Sequence, residues 1–157
     1  MKWSALPCAL ALAWGLAPAL GHAATCTTGS VDVAFGNVKS MAPNDQNTVG
    51  TVSVTCTSVG VETVNFSLGL STGRSGTFVR RQMQFGAQAQ YDYQLYLDAA
   101  RTQVWGDGTG GSQLLRGSMN LRGNTVRQDF AVYGRVFARQ AILVGNYADN
   151  LLALLNY

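Results

Sequence analysis

Acid–base side chains are scarce in this chain. Its one histidine is His22, its one glutamate is Glu62, and Lys39 is the only lysine beyond Lys2. Cysteine occurs three times, at Cys8, Cys26 and Cys56. Without histidine past residue 22 there is no histidine-based catalytic triad, and the usual His and Cys zinc sets are out of reach once Cys26 and Cys56 are bridged. A carboxylate-pair hydrolase would have to draw on Asp92, Asp98, Asp107, Asp129 and Asp149, and no local motif brings two of these together. The chain therefore reads as a non-enzyme, with no cofactor and no metal. Two further absences bound the fold. No amphipathic helical period persists anywhere, and no apolar run after Leu20 is long enough to span a membrane.

The first residues read as an address. Met1-Lys2 is a positive start, Ala5 to Leu20 is an apolar run rich in Ala and Leu, and Gly21-His22-Ala23 offers small residues at the −3 and −1 positions of a cleavage site. Pro7, Gly15, Pro18 and Gly21 interrupt a run already short for a bilayer anchor. The expectation is a signal peptide over 1–23, removed on export, and one domain over 24–157. Cleavage takes Cys8 and His22 with it. It leaves ten basic residues against eight acidic ones, a balance that carries no nucleic-acid signature. Arginines Arg80, Arg81, Arg116, Arg122 and Arg127 read as scattered solvated positions on strand faces. Two cysteines in an exported chain most simply form one disulfide, Cys26–Cys56. Closing a loop of roughly 30 residues, it is worth about 3.5 kcal/mol on the chain-entropy model.

Alternation marks strands along the whole domain. Val31, Val33 and Phe35 share one face. Val52, Val54 and Cys56 share another across Thr51 to Cys56. Val64, Phe66, Leu68 and Leu70 alternate with polar neighbours, as do Tyr91, Tyr93, Leu95 and Leu97, and Phe130, Val132 and Val136. Turn-forming clusters separate them at Ala42 to Asp45, Ser71 to Gly76 and Gly106 to Gly111. Gly106 to Gly111 lacks the Lys-Ser/Thr ending of a phosphate loop and the spaced ligands of a calcium loop, so it reads as a turn beside Trp105. Short strands at this spacing predict an all-β sandwich. Gly145 to Tyr157 reads as a strand running to the last residue, and a terminal edge strand leaves one flank unpaired until something docks there. Tyr91 and Tyr93 fall on the core face, leaving Tyr96 and Trp105 as the residues available for a surface-binding, sugar-stacking role.

The residues also resemble a family. Phe35-Gly36 with Pro43, Thr51 to Cys56, Leu70 to Gly73, Arg81-Gln82-Met83, Tyr93 to Asp98 and Val104 to Thr109 follow in the order of the spore coat protein U domain family. Tyr133 to Val136, Gln140, Gly145 to Asp149 and Tyr157 continue the match. The ordered set covers the whole domain, although no single piece is specific. That family includes subunits of archaic, Csu-type chaperone–usher pili. The resemblance implies an incomplete immunoglobulin-like β-sandwich lacking its last strand. It implies three partners: a periplasmic pilus chaperone, an outer-membrane usher, and a neighbouring pilin subunit whose N-terminal strand fills the gap. It places the protein in the periplasm and then in a cell-surface pilus, a structural or adhesive role.

On that reading the groove is lined by Val31, Val33, Phe35, Leu151, Ala153, Leu155 and Tyr157. Two departures from the family pattern stand out. Only Ala24 and Thr25 precede Cys26 after cleavage, too short for a donated strand, so the subunit is expected to accept a strand without giving one, at or near a fibre tip. Leu152 and Leu154 take outward positions where polar residues are usual, either tolerated under a loop or forming a second contact surface. The competing function is a stand-alone secreted module that binds carbohydrate or another surface.

Overall fold

The computed structural model describes residues 23–29, 32–87 and 89–157. The expected signal peptide, apart from Ala23, and Val31 lie outside the described residues. Among them the chain forms eight strands and one short 3-10 turn: β1 Thr25–Thr28, β2 Gln46–Thr57, β3 Val61–Leu70, the turn Gly73–Ser75, β4 Arg81–Phe85, β5 Ala89–Tyr96, β6 Leu115–Arg122, β7 Thr125–Val136 and β8 Ala153–Asn156. The strands build two sheets, one in the order β1-β2-β7-β5-β4 and one in the order β6-β3-β8. Every ladder is antiparallel.

The alternation read from the sequence sets the inner faces. Val52, Val54 and Cys56 of β2, Val64, Phe66, Leu68 and Leu70 of β3, Tyr91, Tyr93 and Leu95 of β5, and Val132 and Val136 of β7 are all buried in one core. A period of two puts these side chains on one face of each strand, and the two apolar faces close on each other. Cys26 and Cys56 face each other across the β1–β2 ladder and are disulfide-bonded, which pins the first strand to the large sheet.

Two segments depart from the expected strands. Val33 and Phe35 keep their inward alternation, half-buried against the core, yet 33–38 forms no ladder. Only an isolated bridge from Asp32 to Thr51 continues the line of β1 along β2. Side chains take over the pairing: Thr48 Oγ1 donates to the Ala34 carbonyl at 2.8 Å, and Gln46 Nε2 donates to that of Phe35. The second departure is the C-terminal run, where only Ala153–Asn156 forms a strand. Ala148 exchanges backbone hydrogen bonds with Gln84 of β4, in the large sheet, whereas β8 pairs with β3 in the small one. The chain crosses between the sheets over 149–152, and a single continuous strand cannot pair in both.

Trp105 and Tyr96 are not surface residues. Trp105 is 0 % exposed and Tyr96 7 %, which corrects their candidacy as a stacking platform. The indole Nε1 donates to the Leu68 carbonyl at 2.9 Å, locking Trp105 between the sheets. Tyr96 lies on the outer face of β5, under the guanidinium of Arg135, 5.7 Å from its ring centroid. Arg81 departs from the expected solvated face in the same way. It is 0 % exposed. Its guanidinium donates to the carbonyls of Ser71 (2.9 and 3.1 Å) and Trp105 (2.7 Å) and to the Gln94 side chain. Burial lowers its pKa from the ordinary value, but hydrogen bonds to each nitrogen keep the charge satisfied.

Candidate functional site

The sheets are unequal. Five strands face three, so part of the large sheet's inner face has no strand opposite it. Two adjoining cavities open there, of about 440 and 660 Å³. Val33, Phe35, Met83 and Tyr147 line both and join them into one groove. One wall is the ladder-free segment 33–38 and the other is segment 142–151, which leads into the crossing. The floor consists of Met83, Tyr91, Tyr93, Leu70 and Leu95 from β4, β5 and β3.

Close packing fixes the walls. The Phe35 ring meets Tyr93 edge-on, with centroids 5.7 Å apart, and lies against Gly134, where a Cβ would stand 2.9 Å from the ring. Opposite it, Tyr147 packs on Tyr91 and Phe85, each at 5.8 Å. Asp149 anchors the crossing. Its Oδ2 accepts from the Tyr93 hydroxyl at 2.7 Å, and its Oδ1 accepts from the Arg74 backbone N–H at 3.2 Å. Burial, then the hydrogen bond to Asp149, push the Tyr93 phenol well above its ordinary pKa, so this pair is a neutral donor on a carboxylate acceptor. Gly73, with φ of 66°, allows the approach: any side chain there would meet the Asp149 carboxylate and Leu151. Ser71 exchanges backbone and side-chain hydrogen bonds with Leu152, at 2.9 Å in each direction, and its carbonyl is also held by Arg81. One network therefore runs from the buried guanidinium to the strand that borders the groove.

Of the residues expected in the groove, Val33, Phe35, Leu151 and Ala153 line it. Leu155 and Tyr157 do not. Leu155 sits opposite Leu68 in the β3–β8 ladder and packs into the existing core. Tyr157 lies beyond the last ladder pair and is 58 % exposed. Met83, Tyr91, Ile142 and Tyr147 belong to the site but were not singled out for it. Tyr91 carried the inward signal of its strand, whereas Ile142 and Tyr147 lie in a run whose pairing only the tertiary structure sets. Leu152 and Leu154 face away from the core, 71 % and 57 % exposed; among the described residues no loop covers them. Among the described residues, no cluster of three or more His, Cys, Asp or Glu could hold a metal ion, and no helix is long and apolar enough to cross a membrane.

Two antiparallel sheets packed face to face, with a groove open where the larger inner face is uncovered, define an all-β, immunoglobulin-like sandwich. The chain belongs to the Spore Coat Protein U domain family, whose model matches residues 16–153. Its fold is similar to a chain in the crystal structure of the CsuC–CsuE chaperone–tip adhesion subunit pre-assembly complex, from the archaic chaperone–usher Csu pili of Acinetobacter baumannii. The TM-score is 0.56 at 14 % identity, over 86 % of this chain and 40 % of that one. This chain thus spans well under half the length of that structural counterpart. No curated protein matches it in sequence.

Proposed function

We propose that this protein is a structural or adhesive subunit of a chaperone–usher pilus, and that its groove accepts a strand from another subunit. Its partners on this reading are a periplasmic chaperone, which holds the groove before assembly, an outer-membrane usher, and the neighbouring pilin. The route is export to the periplasm and then the cell surface. Family membership and the likeness to a chaperone–subunit complex support the reading. The observation that carries it is the mismatch of five strands against three, with an open groove lined largely by apolar side chains beside β8.

An inserted strand would supply what the groove lacks. Its backbone would pair with the free flank of β8 or with segment 33–38, and its alternate side chains would fill the two cavities. If about four large apolar side chains enter, at roughly 1.5–3 kcal/mol each, the gain is about 6–12 kcal/mol. That is on the scale of a whole domain's stability. The test is to fuse an alternating apolar strand through a flexible linker after Tyr157 and compare thermal unfolding with the unfused chain. A large rise in Tm is expected. A sharp, high transition in the unfused chain, unchanged by the fusion, would overturn the acceptor reading. Mixing the protein with chaperone-bound pilins tests assembly directly: complexes with this chain at one end are expected, and homopolymers would contradict an acceptor-only role.

A further inference from the structure

The outer face of the small sheet changes character toward β8. On β6 and β3 it is polar: Arg116, Ser118 and Asn120 stand opposite Ser67, Asn65 and Thr63, alternating with the buried Val64, Phe66 and Met119. On β8 it turns apolar. Leu154 stands opposite Gly69, which has no side chain, and Leu114 lies over that gap, 3.0 Å from where a Cβ would be. Leu152 follows two residues before Leu154 on the same face. The two exposed leucines form an apolar stripe along a sheet edge, where natural sheets usually place charges or bulges against unwanted pairing.

Only one flank of β8 is paired. Its ladder is with β3, and no strand among the described residues pairs on the other side. The Ser71 N–H donates to the Leu152 carbonyl at 2.9 Å, whereas the Leu70 N–H turns away to the Gly106 carbonyl at 3.1 Å. Leu152 and Leu154 thus direct their backbone groups at β3, and Ala153 between them directs its own at the open flank. Ala153 also lines the groove.

We propose that the strand accepted by the groove is apolar on both faces where it runs beside β8: its inward side chains fill the cavities, and two outward side chains, β-branched or aromatic, cover Leu152 and Leu154. This rests on the strand-acceptor reading and adds the partner's chemistry to it. A strand bonded to Ala153 and antiparallel to β8, like every ladder of this fold, has outward residues directly across from Leu152 and Leu154. Those are the non-hydrogen-bonded pairs, in which side chains come closest. Apolar residues there take both leucines partly out of water, whereas polar ones lose their own hydration against them. Elsewhere the strand's outward side chains meet no such stripe, so the requirement is confined to two positions.

The probe is a set of synthetic peptides of about ten residues with Val at every inward position and Ser at every outward one. Val replaces Ser at one adjacent outward pair at a time, and binding to the disulfide-intact protein is measured by calorimetry. One pair is expected to bind about fivefold tighter than the parent peptide, and the other pairs within about twofold of it. In the protein carrying Leu152→Thr and Leu154→Thr, the fivefold gain should vanish while the parent peptide binds as before. Should that variant not fold, the confinement of the gain to one pair on the unaltered chain carries the test. If the parent binds and Val gains nothing anywhere, or gains equally at every pair, the two-faced strand is wrong and the acceptor reading stands. A gain that survives in the threonine variant overturns it too. Sedimentation of the free chain tests the rival occupant: a dimer that the threonine variant dissociates would give the stripe to a second copy and overturn the proposal. If no peptide of the set binds, the acceptor reading fails and takes this inference with it.

Discussion

Phe35 rests on the bare backbone of Gly134, the one position of β7's inner face that offers room for its ring between Thr48 and Tyr93. This contact holds the ladder-free wall of the groove in place, since 33–38 has no sheet pairing of its own. Gly134→Ala should push Phe35 outward, costing about 1–3 kcal/mol as an overpacked site. It should also weaken strand acceptance more than Gly60→Ala, a change at a glycine with open space around it. Thermal unfolding and peptide binding of the two variants give the comparison.

Arg81 ties the loop at Ser71, and through it β8, to the core. Arg81→Lys keeps the charge but cannot reach the Ser71 and Trp105 carbonyls and the Gln94 side chain together. It leaves buried acceptors unpaired, so a loss of about 2–4 kcal/mol is expected. Urea denaturation with the disulfide intact measures it; a loss below 0.5 kcal/mol, the level of an ordinary surface change, would show the network to be dispensable.

Leu151 and Leu155, four residues apart, both point inward but do different work. Leu151 lines the groove, whereas Leu155 faces Leu68 within the core. Leu151→Asp should destabilise the unfused chain too, since Leu151 also packs against the core, and should in addition remove most of the Tm gained from a fused donor strand. Leu155→Asp should destabilise both forms, because it puts a charge against the existing core. Equal behaviour of the two variants would show that the groove does not end where the cavities end.

The Cys26–Cys56 bridge joins directly opposed residues of β1 and β2. Reduction should lower stability by about 3.5 kcal/mol. Intact-mass analysis after alkylation should find one bridge in the native protein; two freely labelled thiols would contradict it.

Much of this could be read from the residues. A period of two states which face of a strand is apolar whatever lies next to it, so the inward sets of β2, β3, β5 and β7 were legible, and with them the sandwich. The disulfide followed from the cysteine count and the expectation of export, and the ordered motifs led to the family. What alternation cannot state is which flank of a strand finds a partner, or what covers its other face. Residues 31–35 and 145–157 carry the side-chain pattern of strands, but backbone pairing depends on a neighbour. Val33 to Val38 has none, and the C-terminal run changes sheets between Ala148 and Ala153. Trp105, Tyr96 and Arg81 look like surface positions by local pattern. They are buried because Leu68, Arg135 and the Ser71 loop, remote in sequence, close over them. The chain itself determines the faces of its strands and its covalent link. Only the tertiary structure decides that five strands meet three, because the number of strands opposite a face is a property of the packed sheets and of no single segment.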